Sequence, residues 1–139
     1  MESTPISAYE KTEGMLYFPR MLDKMRKQAK GLLREDFQKN LGKGFDLRCT
    51  NYLRVDYDAL RSRALQGGTD KEILLWCFDH GRQLDENDIS IWNEFLKKVG
   101  YKDFASESLA QRKAESDLEG RDDIETMLDF FEVDEGRKA

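Results

Sequence analysis

A chain of 139 residues with 28 acidic and 23 basic side chains carries a net charge of -5, and its length suits one domain that buries about two thirds of its unfolded surface rather than two. Its longest apolar run, the six residues from Ile73 to Phe78, falls far short of the roughly 20 needed to span a membrane. The acidic balance argues against duplex nucleic acid as a partner, because phosphate binding draws on clustered cations.

In chain order, Met1 to Gly14 is polar and lacks the basic-then-apolar layout of a signal peptide, so residues 1–14 are expected to form a flexible leader. Met15 to Phe18 make a short apolar entry, and Pro19 suits the first position of a helix. That helix carries its core stripe on Met21 or Leu22, Met25, Ala29, Leu32 and Leu33, with Lys24, Lys27 and Lys30 projecting elsewhere. Asn40 to Gly44 is interrupted twice by glycine and reads as a loop. Phe45 to Val55 mixes aromatic, branched and helix-forming residues; it is expected to be irregular, with one turn near Thr50 to Leu53. Asp56 caps a short helix on Tyr57, Leu60 and Ala64, ended by Gly67-Gly68.

Thr69 and Glu72 have capping-box spacing, and the following stretch to His80 is apolar nearly all round, which predicts a buried helix. From Asp85 a further helix loads acids into its first turn and Lys97 and Lys98 into its last, complementing the dipole before Gly100. Ser106 to Leu118 predicts a weaker, outer helix. A second capping box, Asp122 with Glu125, predicts a last helix to Phe131 through Ile124, Met127 and Leu128. Gly67, Gly81, Gly100 and Gly120 fall where left-handed residues would close helices. No strand alternation is visible. The expected architecture is all-α, a single compact orthogonal bundle of about six helices over residues 15–133, with Trp76 and Trp92 anchoring a common core and a tail at 134–139.

Few residues point to chemistry. His80 is the sole histidine. With Cys77 and Cys49 it offers too few zinc ligands, and a thiol in Leu-Trp-Cys-Phe is placed as a small hydrophobe rather than a nucleophile. Two cysteines are also too few for a disulfide framework, so reduced thiols and a cytoplasmic protein are expected. Carboxylate pairs such as Asp122 with Asp123 read as solvated caps. Phosphate loops, nucleophile elbows and paired-histidine metal strings are missing, and no cofactor is expected. The charge distribution is uneven: eight Lys or Arg against three acids from Arg20 to Lys43, and twelve acids against three bases from Asp103 to Glu135. The basic stretch is either a solvated or neutralised face or a patch for an anionic ligand or acidic partner. Arg20, Asp23 and Lys24 share a first helical turn, and arginine there opposes the helix dipole. It pairs structurally, with acids such as Asp134 or Glu135, or it binds an anion.

The string Pro19-Arg20-Met21-Leu22-Asp23-Lys24 with Arg26, the pair Trp92-Asn93, and Arg121-Asp122-Asp123-Ile124 through Phe130-Phe131 to Asp134-Glu135-Gly136-Arg137 together resemble a bacterial family described as a domain of unknown function, family 5069. The resemblance spans nearly the whole chain. It implies a single-domain bacterial cytoplasmic protein and carries over no activity, cofactor or catalytic residue. Two functions are weighed beside it. One is a non-catalytic protein-interaction or adaptor module, self-association as a homodimer included. The other is a small-molecule-binding protein or enzyme with a polar pocket near Arg20, Asp23 and His80, with Lys24, Arg48 and Tyr52 as further contacts to an anionic ligand or partner. No membrane contact is expected.

Overall fold

The computed structural model describes all 139 residues. The chain forms eight helices and one two-stranded hairpin, and its backbone divides into two compact units, Met1–Ser90 and Ile91–Ala139.

In the first unit, strands β1 (Lys11–Thr12) and β2 (Met15–Leu16) pair antiparallel with Lys11 opposite Leu16. The turn between them uses left-handed Glu13 and Gly14, φ 49° and 82°, the twist a two-residue hairpin requires. Helix α1 (Phe18–Ala29) follows at once, with Pro19 in its first turn. It packs against β1, α4 (Tyr57–Leu65) and α5 (Asp70–His80). Phe18, Met21, Leu22 and Met25 are completely buried there, and each such side chain contributes about 1.5–3 kcal/mol of transfer free energy. Two expectations for α1 fail. Ala29 is exposed, and Lys24 points inward beside Arg20 on the same face. A cation four residues from another shares its side of the helix, and both have polar partners inside, described below.

Residues 1–14, expected to be a leader, are tied to the unit. Ser3 forms a parallel bridge with Leu33, and Pro5 and Ala8 are buried. The loop after α1 contains a short helix α2 (Glu35–Gln38). Phe45–Leu53, expected to be irregular, is helix α3. Its buried residues are Asp46, Cys49, Thr50 and Leu53, a 3–4 spacing that is hard to see in sequence because half of the stripe is polar. Gly44 enters it at φ 56° and Arg54 closes it left-handed at φ 60°. With α2 and α3 included, the helices outnumber the six expected.

The caps of α4 and α5 fall where they were predicted: Asp56 accepts from the Ala59 amide and Thr69 from the Glu72 amide. Helix α5 is less buried than its composition predicts. Ile73, Leu74 and Cys77 are inside, Leu75 is half exposed, and Trp76 is half-buried with its ring stacked on His80. Trp76 therefore does not anchor the core. Gly81 closes α5 for a reason other than left-handed geometry: its φ is -125°, and a Cβ there would sit 2.2 Å from the Leu53 carbonyl oxygen. Helix α6 (Glu86–Lys98) opens on Asp85 and Asp88, each of whose carboxylates accepts from the other's amide.

The second unit holds the later turns of α6, α7 (Ser106–Glu115) and α8 (Met127–Asp134), and α7 packs on α8. Trp92, Leu96, Leu128 and Phe130 are buried in it. Helix α7 ends before Leu118, at left-handed Asp117 rather than at Gly120. Helix α8 begins four residues later than expected, because Arg121 folds back on Asp123 through two 2.8 Å hydrogen bonds and the cap is Thr126, which accepts from the Asp129 amide. No helix is long and apolar enough to cross a membrane.

Candidate functional site

The densest polar chemistry lies inside the first unit, where α1 meets α3. Asp46 is fully buried and Lys24 is 5% exposed; Lys24 Nζ lies 2.8 Å from Asp46 Oδ1. The Tyr17 hydroxyl donates to the same oxygen at 2.6 Å, Lys24 Nζ donates to the Tyr17 hydroxyl at 3.2 Å, and the Gly42 amide donates to Asp46 Oδ2 at 3.1 Å. One carboxylate thus accepts from three donors, the arrangement that makes a buried charge tolerable. Tyr17 reaches it from a left-handed backbone, φ 77°. Burial, and then the Asp46 charge, hold its phenol well above the usual tyrosine range, so Tyr17 is a donor and not a base.

Tyr57, on α4, belongs to the same neighbourhood. A Cβ on Gly42 would sit 3.0 Å from its ring, and its buried hydroxyl makes no hydrogen bond. Burial and the Asp46 charge raise its phenol too. Cys49, one turn beyond Asp46, is buried, and its thiol is pushed well up by burial, then by Asp46 and Cys77. Cys77 is pushed up to about 12 by burial. Both are neutral thiols, poorly suited to nucleophilic work.

The six residues singled out from sequence meet different partners. Arg20, 3% exposed, donates from Nη1 to the Ile6 carbonyl at 3.1 Å and lies 5.8 Å from the Phe37 ring centre. Asp23 accepts from the Ile6 amide at 2.9 Å and pairs with Lys27 at 2.8 Å. These two converge on the main chain of one residue, Ile6, while Lys24 turns to Asp46. In the second unit, Arg137 pairs with Glu132 and Glu135. Tyr52 donates to the Asp88 carbonyl at 2.5 Å, and Arg82 lies over its ring and donates to its carbonyl. Arg48 is exposed on α3. His80 is exposed; its Nδ1 lies 3.0 Å from the Trp76 carbonyl oxygen, with the rings stacked at 4.4 Å.

Much of the basic stretch is likewise engaged: Arg26 pairs with Asp70 at 2.6 Å and Arg34 with Asp36 at 2.6 Å. Sequence reasoning missed Asp46, Tyr17 and Tyr57. A lone acid in an otherwise half-apolar stripe, Asp46 opposite Lys24, was the one signal available.

The second unit carries a different feature. Phe104 is 63% exposed and Ile91 55% exposed, and Phe104 lies parallel to Phe95 with centroids 6.2 Å apart. Ile91 and Phe95 are one helical turn apart on α6, and exposed Tyr101 follows with Lys102 5.2 Å over its ring.

The chain is rich in helix, and of its exposed large apolar side chains Ile91, Tyr101 and Phe104 lie on α6 and the loop after it. Residues 2–137 match the family model described as Domain of unknown function (DUF5069), and the chain belongs to that family. No curated protein matches it.

Proposed function

We propose that the chain is a non-catalytic protein-interaction module, an adaptor, whose contact surface is the patch of Ile91, Phe95, Tyr101 and Phe104. The observation that carries this reading is the exposure of Phe104, 63%, on a ring already stacked with Phe95. Leaving aromatic area in water forgoes about 25 cal/mol per Å², and contiguous apolar patches on a folded surface mark interaction sites. Lys98, paired with Glu94, and Lys102, over the Tyr101 ring, neighbour these residues, so the complementary partner presents an apolar anchor edged with carboxylates. Two free, buried thiols suit a reducing bacterial cytoplasm as its compartment.

The test is a comparison of wild type with Phe104→Ser. Replacing a side chain this exposed leaves thermal stability within about 0.5 kcal/mol, so lost binding reports on the surface. Partners captured by wild type and released by the variant support the reading. Identical partner profiles, or turnover of a metabolite by the purified chain, refute it.

A further inference from the structure

Helix α5 has the composition of a helix covered on every side, yet the first unit covers only part of it. Ile73, Leu74 and Cys77 are inside, while Leu75 is 49% exposed and Trp76 is half-buried. Glu72, Leu75, Trp76 and Asp79 stand at i, i+3, i+4 and i+7, so they form one stripe with an apolar middle and a carboxylate at each end. The Asp79 side chain is 85% exposed. His80 stacks on the indole with centroids 4.4 Å apart, and its Nδ1 lies 3.0 Å from the Trp76 carbonyl oxygen. A ring held this way loses little further freedom when a partner covers it. In the second unit, Ile91, Phe95 and Lys98 stand at i, i+4 and i+7 on α6, with Phe104 stacked on Phe95 and the Lys98 side chain 75% exposed.

We propose that the occupant of the Phe104 patch is the outer stripe of α5 from a second copy of this chain. The inference rests on the patch being a contact surface, as proposed above, and names what covers it. Charge selects α5 among the exposed leucines. Leu65 has Arg61 one turn before it on α4, and Leu47 stands beside Arg48, cations that a patch edged by Lys98 and Lys102 repels. Leu75 has Lys71 one turn before it too, but Glu72 and Asp79 on its own stripe outnumber that charge. Seating the stripe on the patch takes Leu75 and Trp76 out of water together with Ile91 and Phe104, and it sets the terminal carboxylates against the two ammonium groups. Tryptophan in such a position is the commonest kind of binding anchor. Each copy carries both halves of the contact, so copies pair reciprocally or run in series.

The experiment is sedimentation equilibrium of the full chain from about 10 μM to about 1 mM, with circular dichroism to show that each variant folds. Serine at sites this exposed changes stability little. Wild type is expected to associate. Leu75→Ser and Phe104→Ser each weaken the association at least tenfold, whereas Leu65→Ser, on a leucine 41% exposed and outside both stripes, leaves it unchanged. Mixed in equal amounts, Leu75→Ser and Phe104→Ser recover a one-to-one dimer, because the first keeps the patch and the second keeps the α5 stripe. A wild type that stays monomeric throughout, or a mixture no more associated than either variant alone, overturns this proposal while the capture comparison still decides whether the patch binds another protein. Association of Phe104→Ser equal to that of wild type overturns the reading of the patch and this proposal with it.

Discussion

Replacing Asp46 by alanine removes the one fully buried carboxylate and strands the groups gathered on it. Lys24 Nζ loses its 2.8 Å counter-charge, and the Tyr17 hydroxyl and Gly42 amide lose an acceptor. Breaking a buried ion pair from one side costs about 3–5 kcal/mol, and buried donors left unsatisfied cost about 1–3 kcal/mol each. These terms overlap, because water entering the gap relieves them together, so the expected loss is about 4 kcal/mol. Unfolding entropy of about 2 cal/mol/K per residue converts that to a Tm drop of about 14–22 °C. The span depends on whether all 139 residues or the first 90 melt together. Urea denaturation followed by circular dichroism reads the loss directly. The double variant Lys24→Met with Asp46→Leu recovers the share due to the stranded ammonium, but not the share due to the Tyr17 hydroxyl and Gly42 amide, which still lack their acceptor. An Asp46→Ala chain within about 1 kcal/mol of wild type would refute the claim that this network holds α3 to α1.

Gly81→Ala places a methyl group 2.2 Å from the Leu53 carbonyl oxygen and 2.6 Å from Val55; a backbone shift is forced, and a loss of about 2–3 kcal/mol is expected in the same denaturation assay. Thr126→Ala lowers stability by about 1 kcal/mol while Asp122→Ala leaves it nearly unchanged, because the first removes the cap of α8 and the second lies outside the helix. Stability falls as pH rises above 9: the unfolded chain ionises its thiols from their ordinary value of 9.0, while burial keeps Cys77 protonated up to about 12 and holds the Cys49 thiol well above its ordinary value. That contribution is whole below pH 9 and lost through the folded value, and a pH series of thermal melts checks it. Cysteine-reactive dye should label neither thiol at neutral pH until denaturant is added.

Where helix limits are written by neighbours in sequence, they were legible. Asp56, Thr69 and the acidic opening of α6 each use a carboxylate or hydroxyl within three residues, and all three sit at or beside the helix starts read from sequence. Helix α3 was not legible, since Asp46 and Thr50 look like surface residues until Lys24 and Tyr17, more than twenty residues away, are brought against them. The start of α8 was misread because Asp122 and Thr126 are both competent caps, and the choice rests on Arg121 pairing with Asp123 and on the Met127 amide bonding to the Val99 carbonyl. The main-chain hydrogen bonds that hold Ser3 and Ile6 leave no hydrophobic signature in the sequence. Of the candidate site, Arg20 and Asp23 were singled out for a real oddity, a cation at a helix start, and both meet the main chain of Ile6, fourteen and seventeen residues upstream.

The ammonium of Lys24 and the carboxylate of Asp46 are separated by twenty-one intervening residues. A nascent chain that has released α1 but not α3 from the ribosome holds a cation on the very face α1 must bury, and desolvating it alone is prohibitive. Synthesis at about 5–20 residues per second keeps that interval to a few seconds. Through it α1 cannot dock in its final position, and the first unit is committed to assemble only once Asp46 has emerged.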